Sequence, residues 1–181
     1  MRNALKPVKS LKSIATDYGL YLGGIIALLT VIAYAFSLEL LANMWYGFFI
    51  MAVVVGLGVL SVAKVKQAQG YASFKESFTA YFITIVIGIL ISTLVSYLLF
   101  NIIDTEAAEN LKQITIEKTV EMMKNFNAPS EAIAQTVETI ETQDQYALGN
   151  ILKGLGGNII LYSIIGLIVA AAMKKNNPNA N

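Results

Sequence analysis

Residues 77–103 read SFTAYFITIVIGILISTLVSYLLFNII, 27 positions between Glu76 and Asp104 with no charged side chain. A bilayer core about 30 Å thick takes roughly 20 residues of helix. The run is apolar on all sides, whereas a barrel strand would alternate over about 10 residues. Backbone groups in hydrocarbon must be satisfied within the segment, so this stretch is a helix. Three further runs meet the same length: Tyr18–Leu38 with 21 residues, Leu40–Ala63 with 24 and Gly154–Met173 with 20. The resulting fold class is all-α: a polytopic membrane protein with transmembrane helices at 18–38, 40–63, 77–103 and 154–173. The chain of 181 residues is 56% hydrophobic and 14% charged, against about 25% charged in soluble domains. Four buried helices of a water-soluble globule would lack the polar sequence to cover them.

The charges outside the spans are segregated. Nine basic residues (Arg2, Lys6, Lys9, Lys12, Lys64, Lys66, Lys75, Lys174 and Lys175) fall on one side of the four runs. The other side has the short loop at Glu39 and the segment 104–153, with four lysines against nine acids. The positive-inside rule then predicts both termini in the cytoplasm. The arm 1–17 is expected to be a basic cytoplasmic element. After Pro7, Val8, Leu11 and Ile14 or Ala15 share one face and Lys6, Lys9 and Lys12 another. That pattern suits a helix at the membrane surface, each Lys gaining about 1 kcal/mol from anionic lipid. The simpler alternative is that these lysines only set topology. Residues 174–181 form a cytoplasmic tail. Ala33-Tyr34-Ala35 has the small-x-small form of a signal-peptide cleavage site, but the apolar run exceeds the usual 7–15 residues and continues past it.

Two connecting segments carry local signals. In 64–76, Gly70 can end one helix, and Ser73 with Glu76 has capping-box spacing for the next. The segment 104–153 is the one part of soluble character. Ile116, Val120 and Met123 recur at i, i+4, i+7. Asn127-Ala128-Pro129-Ser130 breaks the helix, with Asn127 suited to a left-handed position and Ser130 to a cap. Ile133, Val137 and Ile140 come next at the spacing of a pairing seam, continued by Ala147 and Ile151. The expected element is an extracytoplasmic helical hairpin, 105–126 against 130–148. Its carboxylates form a solvated face rather than an acid/base pair, which would need a partner and a dry pocket.

Within the spans, small residues recur every four positions. Gly19 and Gly23 do so in span one; Ala80, Thr84, Gly88, Ser92 and Ser96 in span three; Asn158, Tyr162, Gly166 and Ala170 in span four. Such ridges let helices approach closely, so Gly19, Gly23, Gly88, Ser92, Ser96, Gly166 and Ala170 are expected at helix contacts. Gly154, Gly156 and Gly157 suggest a loop or kink opening span four. Asn101, Asp104, Asn158 and Tyr162 are the candidate polar contacts or substrate ligands. Asn101 and Asp104, three apart, are expected to share a face. No Lys, Arg, Asp or Glu lies deep in a span, which argues against proton- or ion-coupled carriage, though Tyr, Ser, Thr and Asn could still line a path. The chain has no cysteine and no histidine. Disulfides, Cys/His zinc sites, thiol nucleophiles and Ser-His-Asp triads are therefore excluded. A net charge of +1 gives no global field for nucleic acid. No phosphate loop, dinucleotide fingerprint or metal-ligand cluster appears, so neither cofactor nor metal is expected.

The order of these features resembles the bacterial domain-of-unknown-function family 4199. The resemblance lies in the basic start, two close spans, Gly70-Tyr71-Ala72-Ser73-Phe74-Lys75-Glu76-Ser77-Phe78 before span three, and Asn101-Ile102-Ile103-Asp104 closing it. An acidic helical segment and a last span with a lysine ending complete it. Thr105 stands where that family's pattern has proline. The resemblance covers nearly the whole chain and implies a four-span inner-membrane protein of the Bacteroidota type. It implies no activity, and no catalytic residue carries over.

Two functions are compatible with these residues. The first is a non-enzymatic component of the bacterial inner membrane acting through protein–protein contacts. Its outer hairpin or small-residue ridges would bind another envelope protein or a second copy. The second is an oligomeric transporter or flippase-like protein for a lipid-linked or small apolar substrate. Its mark would be Asn158, Tyr162, Ser92 and Ser96 around a wet cavity.

Overall fold

The computed structural model describes residues 10–145 and 147–175. It contains six α-helices: α1 Leu11–Phe36, α2 Met44–Gln69, α3 Phe74–Leu98, α4 Thr105–Asn125, α5 Ser130–Thr142 and α6 Leu148–Met173. A 3-10 turn, Leu38–Leu40, lies between α1 and α2, and a π-turn, Leu99–Ile103, extends α3. Four helices are long and apolar enough to cross a membrane: α1, α2, α3 with its π-turn, and α6. Among the described residues there is no strand, only an isolated bridge between Ala72 and Lys175.

The helix ends obey local chemistry. Asn43 Oδ1 accepts from the Trp45 amide at 2.8 Å and starts α2. Gly70, in the left-handed region at φ 80°, stops it. Ser73 and Glu76 form the expected capping box at the head of α3. Asn127 takes the left-handed position at φ 54°. The cap of α5 differs from expectation: Pro129 precedes the helix and no side chain caps it. Proline's fixed φ already suits a helix entry.

Other boundaries differ because backbone continuity does not respect the polarity of side chains. α1 begins at Leu11, so residues 11–17 are its first turns. Ile14 and Ala15 are buried in the bundle there, and Lys12 is exposed. Lys6 and Lys9 lie outside the described residues. α6 begins at Leu148 and is continuous helix through Gly154, Gly156 and Gly157, with no loop there. The second hairpin helix ends at Thr142, and Ile151 belongs to α6.

Helix α3 is the hub, packing against α1, α2 and α6. Its contact with α1 is close because side chains are missing. A Cβ at Gly19 would stand 2.7 Å from Ile87 Cβ, one at Gly23 2.6 Å from Ile91 Cβ, and one at Gly88 2.5 Å from Leu22 Cγ. Tyr81 joins the other two helices. Its ring lies between Gly58 of α2 and Gly166 of α6, where an added Cβ would come within 2.5 Å and 2.6 Å of ring carbons. One turn further along α3, the Thr84 hydroxyl lies 2.8 Å from Ser61 Oγ, 3.0 Å from the Ala15 carbonyl and 2.9 Å from the Ala80 carbonyl. With Ser61 donating to Thr84 and Thr84 donating to a carbonyl, both buried hydroxyls are satisfied across α1, α2 and α3. At the basic end, Lys66 Nζ donates to the Met173 carbonyl at 3.2 Å, meeting an otherwise unpaired carbonyl of α6. The Ala72 and Lys175 backbones exchange bonds of 3.0 and 2.7 Å beside it. Outward-facing Leu28, Phe48, Leu94, Ile160, Ile164 and Ile168 are all exposed, as lipid-facing surface must be.

The Tyr81 hydroxyl is buried with no hydrogen-bond partner among the described residues, so Tyr81 holds the bundle by shape. Tyr81→Phe should leave the thermal midpoint in detergent unchanged or slightly raised. Tyr81→Ala should cost about 2–3 kcal/mol, the penalty for an unfilled cavity of about 100 Å³ at about 24 cal/mol per Å³. Equal losses in both variants would show that the hydroxyl, not the ring, carries the contact.

Candidate functional site

The hub packs tightly in its basic half and opens toward the end that carries α4 and α5. Beyond Gly88, α1 and α6 stand on opposite flanks of α3 and leave a hollow of about 270 Å³. Ile26 lines it from α1, Ser92, Thr93, Ser96 and Tyr97 from α3, and Asn150, Gly154, Leu155 and Asn158 from α6. Ser92 Oγ donates to the Ile89 carbonyl at 3.0 Å, the usual way a serine hides its donor in a helix. The Asn150 amide donates to the Asp144 carbonyl at 2.8 Å, tying the start of α6 to the preceding loop. The lining offers hydroxyls and amides but no ionisable carboxylate or ammonium. It can accept and donate hydrogen bonds, and it holds no formal charge to set against one on a ligand.

A second polar feature sits at the root of the hairpin. The Tyr34 hydroxyl of α1 donates to Asp104 Oδ2 at 2.6 Å, and Asp104 Oδ1 accepts from the Ala107 amide at 2.8 Å. The carboxylate thus caps α4 while latching it to α1. The Tyr34 hydrogen bond, then the amide of Ala107, hold the Asp104 carboxyl below its ordinary value of 3.8, with desolvation opposing them. The Tyr34 ring stands edge-on to Phe100, 6.1 Å between centroids. Leu99, Phe100 and Ala107 are buried there against Leu38, Leu41 and Leu111.

The positions singled out in the sequence therefore separate. Gly19, Gly23 and Gly88 lie in the α1–α3 contact, Gly166 lies under Tyr81, and Ala170 is fully buried. Ser92, Ser96 and Asn158 meet at the hollow, whereas Tyr162 is packed into the core cluster with Tyr81. Asn101 and Asp104 do not share a face. Asp104 turns to Tyr34, while Asn101 borders a different depression with Thr105, Lys112 and Gln143. The π-turn is the cause, since its wider winding rotates the residues after Leu99 relative to an α-helix. Tyr34, Ser61, Tyr81 and Gly58 were not singled out by sequence spacing. Tyr34 drew attention only as the middle of a small-x-small triplet.

Comparison with known families finds a match to the family described as Protein of unknown function (DUF4199), over residues 17–175. No curated protein and no solved structure matches the chain.

Because the folded carboxyl of Asp104 ionises below the ordinary value, its stabilisation is complete above the unfolded value. It fades as pH falls through the lower folded one. Stability in detergent, followed from pH 7 to pH 2, should decline in that acid window for the native chain. Asp104→Asn should remove part of the decline, and Tyr34→Phe should shift it toward the ordinary carboxylate range. An acid limb identical in all three proteins would rule out the latch.

Proposed function

The chain belongs to the DUF4199 family of proteins of unknown function, and from that premise we propose that it is a non-enzymatic inner-membrane component of a bacterial envelope. It acts by contact, with both termini in the cytoplasm and the α4–α5 hairpin outside. The observation that carries the contact reading is the bare face of α6 shared by Gly149 and Gly156, seven residues apart; Gly154 turns the other way, into the hollow. A Cβ at Gly149, Gly154, Gly156 or Gly157 would meet nothing within 4 Å. Glycine inside a helix costs about 1 kcal/mol relative to alanine, and packing within the chain gives no reason for Gly156, nor for the equally open Gly24 and Gly56. In hydrocarbon, small residues serve close helix approach. The most apolar window of α6 is also the least covered, 17% buried against 28% in each of the other spans. The orientation is supported by the basic residues at one end and the acidic hairpin at the other.

A second reading, an oligomeric carrier or flippase for a lipid-linked or small apolar substrate, is favoured by one observation. Ser92, Thr93, Ser96 and Asn158 converge on a hollow rather than on one another. Its volume of about 270 Å³ is below the usual ligand range of about 300–1,000 Å³. A path would therefore need more than one copy.

The chain has no native cysteine, so single-cysteine crosslinking is clean. Gly156→Cys, labelled with a benzophenone maleimide and irradiated in native membranes, should give an adduct heavier than the monomer by another protein's mass. Leu28→Cys, on the lipid-facing side of α1, should give none. Self-adducts alone would refute the partner and leave the oligomeric reading. Full labelling with no adduct would refute both.

A further inference from the structure

We propose that α4 is a strap seated on the membrane surface at the hairpin end, and that its underside and the first turn of α2 form a seat for one phospholipid. The root of the strap is fixed at membrane level, because α4 starts one residue after the π-turn that ends the third span. From there it crosses the tip of the α1–α2 hairpin, where Ala108 and Leu111 pack with Leu38 and Leu41. Its last two turns face the start of α2 across a hollow of about 550 Å³, bordered by Asn43, Trp45, Thr115, Lys118, Met122 and Phe126.

The spacing makes this a coherent face. Leu111, Thr115, Met122 and Phe126 succeed one another at four, seven and four residues, one stripe of a helix. It is a different stripe from Ile116, Val120 and Met123, of which Ile116 is buried. The stripe ends in a bare ring: Phe126 is 77% exposed, and Trp45 opposite it is 75% exposed. Two large aromatic side chains facing each other over an open hollow are costly in water and at home at a bilayer interface.

Continuity identifies the occupant. The wall formed by Met44 and Trp45 passes down α2 into Phe48 and Phe49, all at least half exposed, which is the lipid-facing side of a spanning helix. An acyl chain entering the hollow meets no step between seat and bilayer. At the upper rim, Lys118 offers its ammonium to a phosphate. Its exposed pairing with Glu121, at 3.7 Å, is of the kind that contributes little and yields readily. Lys118 and Glu121 share the rim over an apolar floor of Trp45, Met122 and Phe126, a lining that matches a zwitterionic amphiphile with a phosphate and an ammonium at one end, and amphipathic helices of this kind lie at the headgroup boundary.

The absence of native cysteine provides the test. Single cysteines replacing Met122, Phe126, Glu117 and Lys124 are spin-labelled in phosphatidylethanolamine–phosphatidylglycerol nanodiscs. Labels at 122 and 126 should be reached by oxygen more than by a water-soluble nickel complex, and those at 117 and 124 the reverse. Water-like accessibility at 122 and 126 overturns the strap. Mutual broadening of the label at 122, lost on dilution with unlabelled protein, overturns it in favour of a second copy. For the seat, native mass spectrometry from the same nanodiscs should show the Lys118→Gln, Phe126→Ala double variant retaining one phospholipid fewer than the native chain. Equal retention overturns the seat even if the strap stands.

Discussion

Three of the four spans hold together because a ring fills space left by two absent side chains. Tyr81 of α3 lies against Gly58 of α2 and Gly166 of α6. In water, apolar helices would be driven together whatever their detailed shape. In hydrocarbon that drive is missing, because lipid tails are as apolar as leucine, and association depends on packing and hydrogen bonds. A bundle of this kind must therefore be built on fit. The contact of Gly19, Gly23 and Gly88 with the side chains of the facing helix is the same device on the other side of α3. The Thr84–Ser61 pair adds a buried hydroxyl network between the helices.

These devices cluster in one half of the bundle, and that asymmetry shapes the rest. On the ridge of α3, Thr84 is hydrogen-bonded across helices and Gly88 receives Leu22. The next two members, Ser92 and Ser96, border the hollow instead. The same i+4 pattern thus serves as a contact below and as a lining above. What closes the bundle at the open end is the hairpin root, where Asp104 joins α4 to α1 through Tyr34. A carboxylate at that point does two jobs with two oxygens, and neither job uses its chemistry as an acid or base.

How much of this was legible in the sequence depends on whether a signal is local. The spans were legible because charge-free runs of 20 or more residues have few alternatives. The Ser73–Glu76 capping box and the left-handed Asn127 were legible because they involve neighbours in the chain. Gly88 and Gly166 were marked by their ridges, but not what lies on them. Leu22 and Tyr81 are ordinary apolar-run residues whose importance arises only when another helix arrives. Gly58 sits outside any four-residue ridge and gave no signal. The Asn101–Asp104 pairing failed for a reason of geometry: a π-turn looks like α-helix in composition and rotates the residues beyond it. On α4, two stripes share one helix. The one with Ile116, Val120 and Met123 has the stronger apolar pattern and masked the weaker stripe that ends in Phe126.

The segregation of charge also takes on a sharper physical meaning once the helices are placed. The basic residues at one end include Lys66, whose ammonium meets the carboxyl end of α6, so one of the topology-setting charges also closes a helix. At the other end, the acids lie on a hairpin whose first helix crosses the bundle instead of standing away from it. Ion- and proton-coupled carriers usually keep an ionisable residue inside their spans. Here the hollow between α1, α3 and α6 is lined by neutral hydrogen-bonding groups. Such a lining can discriminate shape and hydrogen-bond pattern.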